Sequence, residues 1–382
     1  MENREENVDR FDDEIDVKQY LIPKNIVNAL IDNFSIIRNE LSEVLDIPPS
    51  TTNEHAAGWW QQQSGDDQIV LRAALTAMAA PAMISQITIM KGNDQMIQTT
   101  MAQESMRVED PCFLIGEEGD NIKIRRLRDP DVMTSTIQLY LDSGIEQGEL
   151  EFSFTTEMDD FHTLLGILDL YRREYYQALM EHEAVPNEFN TEDVRKSIED
   201  GHTYGDPRWM LPFVLPVLPD AMVPDQNTLN YSLYDLGKTG IFNISGDYAV
   251  LTLADPSELL CKEMLERPAS IRVTNLGFKQ DGKPAGMTSL YIRGKNLIWY
   301  VNIGGETGVT ATWACIDLDK AGELLNESFT PVGAPGTVKP APAPQRKKSG
   351  EKKFCSICGK EATWVEQYQR YYCYSCQKYL DN

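Results

Sequence analysis

The sequence predicts an α+β fold in two similar halves, each combining helices with an antiparallel sheet about a pseudo-twofold axis. Three observations lead to this fold class. Short β-prone segments alternate with turn residues, which favours antiparallel strands. Helices flank each run of strands, and the order of elements recurs along the chain, which indicates an internal repeat. A proline-rich stretch and two Cys-x-x-Cys pairs follow, and they predict a linker and a small C-terminal module.

The composition is typical of a soluble globular protein. The chain has 382 residues, of which 42% are hydrophobic and 25% are charged. No apolar run approaches the roughly 18 residues of a membrane span. The acidic N-terminus lacks the apolar segment of a signal peptide. The sequence therefore predicts a cytoplasmic protein.

Charge is unevenly distributed along the chain. The net charge is −24, but nine Lys or Arg against four Asp or Glu from Val338 to Asn382 give that segment +5. The preceding body therefore carries −29. A strongly acidic body repels a phosphate backbone, so extensive wrapping of nucleic acid by this body is excluded.

The first half is predicted over residues 18–142, after an acidic, disordered tail at 1–17. A helix begins after Pro23, because apolar residues recur at helical spacing as far as Leu45. A polar loop then leads through Trp59 and Trp60 to a second helix. The remaining predicted elements are a helix over 67–79, strands over 84–90, 96–101, 112–115 and 122–127, and a helix over 131–141.

The second half is predicted over 143–330 and contains a loop-rich insertion. A long helix is expected over 159–182, followed by a stretch from Glu183 to about Asn230 whose prolines at 207, 212, 216, 219 and 224 exclude long regular elements. A hairpin over 241–253 comes next, and the earlier pattern then returns, with Pro268 placed as Pro81 is in the first half. The returning elements are a helix over 256–265, strands over 271–276, 287–292, 297–301 and 309–315, and a helix over 318–325.

The C-terminal module, residues 354–382, has the spacing of a zinc site. Cys355 and Cys358 form one Cys-x-x-Cys pair, and Cys373 and Cys376 form the second. Four thiolates on two tight turns complete a tetrahedral shell for one Zn²⁺ with no open position, which predicts a structural metal. Zinc binding would contribute about 10 kcal/mol to the folding of so short a segment. Two disulfides or four free thiols are the alternative, which the β-prone hairpin between the pairs disfavours.

Residues 331–353 are rich in proline and lysine and predict an extended tether between the body and this module. In a polyproline conformation, at roughly 3.1 Å per residue, the tether would reach about 70 Å. The basic residues at its end, Arg346 to Lys348 with Lys352 and Lys353, either solubilise the linker or make weak contacts with nucleic acid.

Two resemblances to known families accompany these patterns. The segments Cys355-Ser-Ile-Cys-Gly-Lys and Tyr371-Tyr-Cys-Tyr-Ser-Cys resemble the zinc ribbons that end many archaeal proteins. That resemblance implies a bound zinc and an archaeal source, but no activity. The two-halved body resembles, in element order alone, the substrate-recognising chaperones of type VII secretion systems. No motif matches residue by residue, so no functional residue is transferred.

Other candidate motifs have simpler explanations. Gly237-Lys-Thr-Gly lacks the first glycine of a phosphate-binding loop, because Ser232 stands there, and a turn before the next strand explains it. Gly304-Gly-Glu-Thr-Gly is explained by a hairpin turn. Asp159 and His162 stand one helical turn apart and are predicted to form a surface pair. The other histidines are His55, His182, which is expected at a solvated helix end, and His202.

The remaining cysteines and a set of aspartates are also assigned structural roles. Buried free thiols are predicted for Cys112, Cys261 and Cys315. Helix capping is predicted for Asp129, Asp131, Asp317 and Asp319. No catalytic or cofactor-binding residue is assigned.

Three functional hypotheses follow. The first is a non-enzymatic cytosolic adaptor or chaperone-like protein that binds another protein, with the zinc ribbon as a tethered contact. The second is a transcription-associated or RNA-associated protein that contacts nucleic acid through its basic tail. The third is an enzyme of unrecognised class. A deep pocket lined by acids, histidines or Cys112 would favour the enzyme, and an apolar surface groove would favour the adaptor.

Overall fold

The computed structural model describes two separate units of the chain, Met1–Thr337 and Val338–Asn382. The described residues of the first unit are 18–42, 53–92, 95–104, 111–127, 130–142, 150–218, 221–245, 250–278, 284–304 and 310–329. In the second unit the backbone of three short strands is described. The predicted N-terminal tail and the linker over 331–353 lie outside the described residues.

The described part of the first unit is α+β, with ten α-helices and thirteen strands. The helices are α1 (Lys24–Asn33), α2 (Asn53–Gln61), α3 (Gly65–Ala79), α4 (Asp131–Leu141), α5 (Met158–Glu181), α6 (Thr191–Tyr204), α7 (Met210–Val214), α8 (Gln226–Lys238), α9 (Asp255–Leu265) and α10 (Leu318–Phe329), and one 3-10 turn spans Leu215–Val217. The strands are β1 (Gln19–Pro23), β2 (Met83–Lys91), β3 (Gln95–Gln103), β4 (Cys112–Glu118), β5 (Asn121–Leu127), β6 (Ser153–Glu157), β7 (Glu188–Asn190), β8 (Phe242–Ser245), β9 (Val250–Leu253), β10 (Ala269–Phe278), β11 (Pro284–Arg293), β12 (Ile298–Gly304) and β13 (Thr310–Ile316).

Ten of these strands form one continuous antiparallel sheet rather than two separate ones. Its order is β1-β5-β4-β3-β2-β10-β11-β12-β13-β6. The central strands β2 and β10 pair antiparallel, with Gln86 opposite Thr274. From this pairing outward, β2, β3, β4, β5 and β1 follow one another on one side, and β10, β11, β12, β13 and β6 on the other. A smaller sheet of order β7-β9-β8 lies outside this array.

Helices cover both faces of the large sheet. On one face, α1 and α3 pack over β4 and β5 around Phe113 and Ile124, while α5 to α9 pack over β11 to β13. In the second cluster the rings of Phe161 and Trp313 meet edge to face, with centroids 5.8 Å apart. On the opposite face, α4 and α10 pack against each other, and Gln103 donates a hydrogen bond to the carbonyl of Phe329 at 2.9 Å.

The first half departs from the sequence prediction before β2. The helix after Pro23 ends at Asn33 rather than near Leu45, because Ser35 adopts a left-handed conformation with φ of 52°. The chain over 53–61, predicted as a polar loop, forms α2, and its Trp60 packs edge to face on Phe34 with centroids 4.6 Å apart. Strand β1 was missed. From β2 to α4 every predicted element is confirmed, and the bounds of α4 match the prediction.

The second half contradicts the prediction for 183–230. Helix α6 lies inside this stretch and is 14 residues long. Asn190 caps it by accepting a hydrogen bond from the amide of Asp193 at 2.8 Å, and Gly205 ends it with φ of 59°. Pro207 and Pro224 lie between helices, so they separate α6, α7 and α8 instead of shortening them. The predicted hairpin is present as β8 and β9.

In the second unit, β14 (Thr363–Val365), β15 (Arg370–Cys373) and β16 (Lys378–Tyr379) form a three-stranded sheet. The first two strands pair antiparallel with Trp364 opposite Tyr371, so the hairpin predicted between the cysteine pairs is present in the backbone. Across the described residues of the chain, none of the helices has the length and apolar character needed to cross a membrane.

Candidate functional site

A groove of about 560 Å³ lies over the central strands, on the face that carries the two helical clusters. Residues paired directly across antiparallel strands project from the same side of a sheet, as do alternate residues of one strand. The floor is therefore a grid of six polar side chains in two rows across β10, β2 and β3. One row is Arg272, Thr88 and Gln98, and the other is Thr274, Gln86 and Thr100.

Mainly apolar walls enclose this floor. Met78, in the last turn of α3, lines one side, and Pro216 and Val217 of the 3-10 turn line another. Glu117 lies at the β4 end, where its carboxylate pairs with the Lys24 ammonium at 2.8 Å. The groove thus combines a polar floor with walls that are largely hydrocarbon.

Arg272 connects the floor to the wall formed by the second half. Its guanidinium donates one hydrogen bond to the carbonyl of Phe213 and another to Thr88 Oγ1 at 3.3 Å. It also lies over the Phe213 ring, 5.4 Å from the centroid. Burial lowers the pKa of this arginine. Because Phe213 belongs to α7, these contacts position the 3-10 turn that follows it.

The other floor residues are neutral. Thr274 Oγ1 and Thr288 Oγ1 share a hydrogen bond of 3.1 Å. The side chains of Gln86, Gln98 and Thr100 make no hydrogen bond to the described part of the protein. Each of these groups can donate and accept a hydrogen bond. The floor therefore offers unused hydrogen-bonding capacity to a ligand.

Helix α7 is held by a buried carboxylate. The two oxygens of Asp169 accept hydrogen bonds from the amides of Met210 and Leu211 at 2.7 and 2.8 Å. Burial raises the pKa of Asp169, and the half-buried Arg267 guanidinium nearby opposes that shift. A smaller cleft of about 170 Å³ lies beside this contact. Asp169 therefore anchors the start of the segment that ends in the groove wall.

The structure corrects the prediction for His162. It is 5% exposed rather than at the surface, and its Nε2 lies 3.0 Å from Nε2 of His202. Burial, with a smaller effect from His202, lowers the pKa of His162 to about 4. The reason is helix packing: α6 crosses α5 so closely that a Cβ on Gly166 would lie 2.4 Å from Ile198. Asp159 is exposed, as expected.

No described residues form a metal site. Groups of three or more His, Cys, Asp or Glu able to hold a metal ion are absent from the described ranges. Of the four predicted zinc ligands, Cys355, Cys358 and Cys376 lie outside those ranges, and only the backbone of Cys373 is described, in β15. The zinc site therefore stays a prediction from the sequence.

The remaining candidates are structural where they are described. Cys112 and Cys261 are buried, while Cys315 is only half-buried. Asp317 caps α10 by accepting a hydrogen bond from the amide of Lys320 at 2.6 Å, and Asp129 lies outside the described residues. Gly237 lies in the last turn of α8, and Gly240 lies in the turn that follows, with φ of 74°. His182 is an exposed, left-handed helix end, as predicted.

The sequence analysis missed the groove floor. A signal for it exists, because Gln86 and Thr88 alternate with apolar residues in β2, and Arg272 and Thr274 do so in β10. Alternating polar residues in the two central strands of a covered sheet indicate an opening in the helical layer. Recognising this requires the strand order, which pairs β2 with β10.

Comparison with known proteins finds similarity among solved structures. No family model matches the chain, and no curated protein is similar to it. Among solved structures, the chain is similar to the type VII secretion system chaperone EspG5 of Mycobacterium tuberculosis, determined in complex with a PE25–PPE41 dimer. The identity is 11% and the TM-score is 0.42, over 84% of this chain and 98% of the chaperone chain. The similarity concerns the order of elements and carries no assignment of function.

Proposed function

We propose that this chain is a non-enzymatic, cytosolic, protein-binding adaptor or chaperone-like protein, and that a segment of its partner lies in the central groove. The observation that supports this is the groove itself. Its floor presents unpaired amide and hydroxyl groups, which match the donors and acceptors of a polypeptide. Its walls supply apolar contacts through Met78, Ile115 and Val217.

The composition of the groove argues against catalysis. Among the described residues its lining contains no histidine or cysteine, and the one carboxylate there, on Glu117, is paired with Lys24. Acid–base and nucleophilic mechanisms most often use such groups, commonly as a nucleophile beside a general base. The groove also differs from the apolar one expected for an adaptor, because its floor is polar. Polar groups in such a site favour binding of a specific partner segment over nonspecific binding of apolar segments.

We also infer that the two halves of the body arose by duplication. The support is topological: the strand order is the same on each side of the β2–β10 pairing, and the connection from α3 to β2 is as long as that from α9 to β10. Pro81 and Pro268 both fall in these connections but are offset by one residue. The segments 67–142 and 254–327 should superpose as one unit, and unrelated local structure around the two prolines would contradict the duplication.

The zinc ribbon is proposed as a second, tethered contact. One structural Zn²⁺ would be held by Cys355, Cys358, Cys373 and Cys376. The support is the cysteine spacing, together with the antiparallel pairing of β14 and β15 between the two pairs. The metal would serve folding of the ribbon, not chemistry in the groove.

Site-specific photo-crosslinking in the source cells tests the groove. A photoreactive residue replaces Gln98, which is exposed on the floor, or Leu139 of α4 on the opposite face as a control. The expected result is one protein adduct from position 98 and none from position 139. This adduct should be lost when Gln86→Trp fills the groove, and it should be retained when Leu139→Trp is introduced instead. Equal adducts at both positions, or an adduct indifferent to Gln86→Trp, would contradict protein binding in the groove. A nucleic-acid adduct would favour the transcription-associated or RNA-associated hypothesis instead.

A further inference from the structure

In the middle of the groove, Arg272 is a cation with no acidic partner among the described residues. Its described hydrogen bonds go to neutral oxygens, the carbonyl of Phe213 and the hydroxyl of Thr88. Several other arginines of the described chain pair with acids, as Arg173 does with Asp200 at 3.2 Å and Arg38 with Asp32 at 2.9 Å. The chain has 59 Asp and Glu against 35 Lys and Arg, so a carboxylate would be easy to supply.

Leaving this guanidinium unpaired is energetically unfavourable. A charge that loses water without gaining an opposite charge is destabilised, and burial accordingly lowers the pKa of Arg272. A guanidinium carries five N–H donors, and only two are used in the bonds to Phe213 and Thr88. The remaining donors belong to a side chain that lines the groove. An anionic ligand would restore the missing partner through charge-assisted hydrogen bonds.

We propose that Arg272 binds the carboxylate of an Asp or Glu side chain of the partner polypeptide that occupies the groove. The inference rests on the proposed function and specifies the chemistry of that partner. The single positive charge of the floor matches a single carboxylate. Gln86, diagonal to Arg272 across the β2–β10 pairing, places an amide within reach of the same ligand.

The surroundings favour a carboxylate over a polyanion. A body charge of −29 repels a nucleic-acid strand, whereas one carboxylate meets the guanidinium at the bottom of the groove. Glu117, the acid at the groove edge, is neutralised by Lys24 and does not compete for Arg272 at ion-pair distance. The Phe213 carbonyl and ring hold the guanidinium in place, which reduces the entropy lost when a ligand binds.

Peptide selection on the full-length protein tests the proposal. Short random peptides are selected by phage display, and binders that Gln86→Trp displaces are kept as groove ligands. Each acidic residue of these peptides is then replaced by its amide, and dissociation constants are measured for wild type and Arg272→Gln. We expect one Asp→Asn or Glu→Gln replacement to weaken binding to wild type by about tenfold or more. The same replacement should have little effect on Arg272→Gln.

The controls separate charge, packing and folding. Arg195→Gln removes the same charge from a half-buried site on α6, outside the groove, and should leave the peptide preference unchanged. Arg272→Met keeps the stem on Phe213 and should behave as Arg272→Gln does, and the melting temperature of each variant reports its folding. If neither variant folds, Arg272→Lys is the alternative. It keeps the positive charge but not the planar set of N–H donors, and it should retain a weaker preference for acidic peptides.

Three results would overturn the proposal. Groove peptides that bind without any acidic residue would exclude a carboxylate as the ligand of Arg272, but they would leave the proposed function standing. An acid preference that persists in Arg272→Gln would assign it to another residue. Phosphoserine peptides that bind more tightly than their Glu counterparts would identify a different anion. A failure to find any peptide sensitive to Gln86→Trp would instead count against the groove as a protein-binding site, and hence against both proposals.

Discussion

Replacing the buried His162 and its neighbour Asp160 should change the pH dependence of stability in opposite directions. Both side chains lie in the first turns of α5 and are less than 10% exposed. Burial lowers the pKa of His162 from 6.5 to about 4. Burial and the carboxylates of Asp235, Asp159 and Glu157 raise the pKa of Asp160 from 3.8 to about 6, against a hydrogen bond from Ser232. The two groups therefore titrate over the same range of pH.

The signs follow from proton binding. Between about pH 4 and 6.5 the unfolded chain binds a proton on His162 that the folded protein does not, so stability falls as the pH is lowered through this window. Between about pH 3.8 and 6 the folded protein binds a proton on Asp160 that the unfolded chain does not, so stability rises as the pH is lowered. At 1.36 kcal/mol per pKa unit, moving from about pH 7.5 to 5 should lose about 2 kcal/mol through His162 and gain about 1 kcal/mol through Asp160.

Urea unfolding of wild type, His162→Gln and Asp160→Asn at these two pH values measures both effects. His162→Gln should reduce the acid-induced loss of unfolding free energy by about 2 kcal/mol, and Asp160→Asn should increase it by about 1 kcal/mol. His182→Gln, at an exposed helix end, is the matched control and should behave as wild type. If both variants shift the pH dependence with the same sign, the burial of this histidine and aspartate is wrongly assigned.

Three further predictions concern other parts of the chain. Asp169→Ala should reduce the unfolding free energy by about 3 to 5 kcal/mol, because two buried amides lose their acceptor and the nearby Arg267 loses an opposite charge; a loss below about 1 kcal/mol by urea titration would contradict this. Elemental analysis should find one zinc per chain, and Cys373→Ser should abolish zinc binding while leaving the melting of the body unchanged; zinc-free protein purified without chelator would refute the ribbon. Fragment 338–382 should bind duplex DNA at low salt with a log–log salt slope of about −4, and the full-length protein should bind little near about 0.15 M salt, so tight binding by the intact chain would overturn the adaptor proposal.

The sequence was most informative where local signals agree. Strands β2 to β5 and β10 to β13 are bounded by turn residues, and α4 and α10 follow aspartates, so their positions could be predicted within a few residues. The edge strands β1 and β6 were missed because each is five residues long and directly precedes a helix, whose stronger periodicity dominates the pattern. Helix α6 was missed because the prolines of 183–230 were taken to disrupt that whole stretch. Pro207 and Pro224 in fact lie between its helices.

The groove could not be predicted because it depends on distances between elements far apart in the sequence. Its floor needs the register that sets Arg272 opposite Thr88, and that register is a contact between the two halves. Its wall needs α7, whose position depends on Asp169 and Arg267. Burial of His162 has the same origin, because it follows from the packing of α6 on α5. Local patterns carry no information about such contacts.

The register of the central strands also gives the groove a direction. Gln86 stands opposite Thr274 just as Arg272 stands opposite Thr88, so within the β2–β10 pair the two threonines match and the difference is Gln86 against Arg272. The Arg272 side chain is cationic and is hydrogen-bonded to α7 through the Phe213 carbonyl, whereas the Gln86 side chain makes no hydrogen bond to the described residues. Gln98 and Thr100 extend the floor on the β3 side only. The two ends of the central strand pair therefore differ in charge, and the cationic end is the one beside the 3-10 turn that follows α7. An acidic residue of the partner would therefore fix both the position and the polarity of the bound segment.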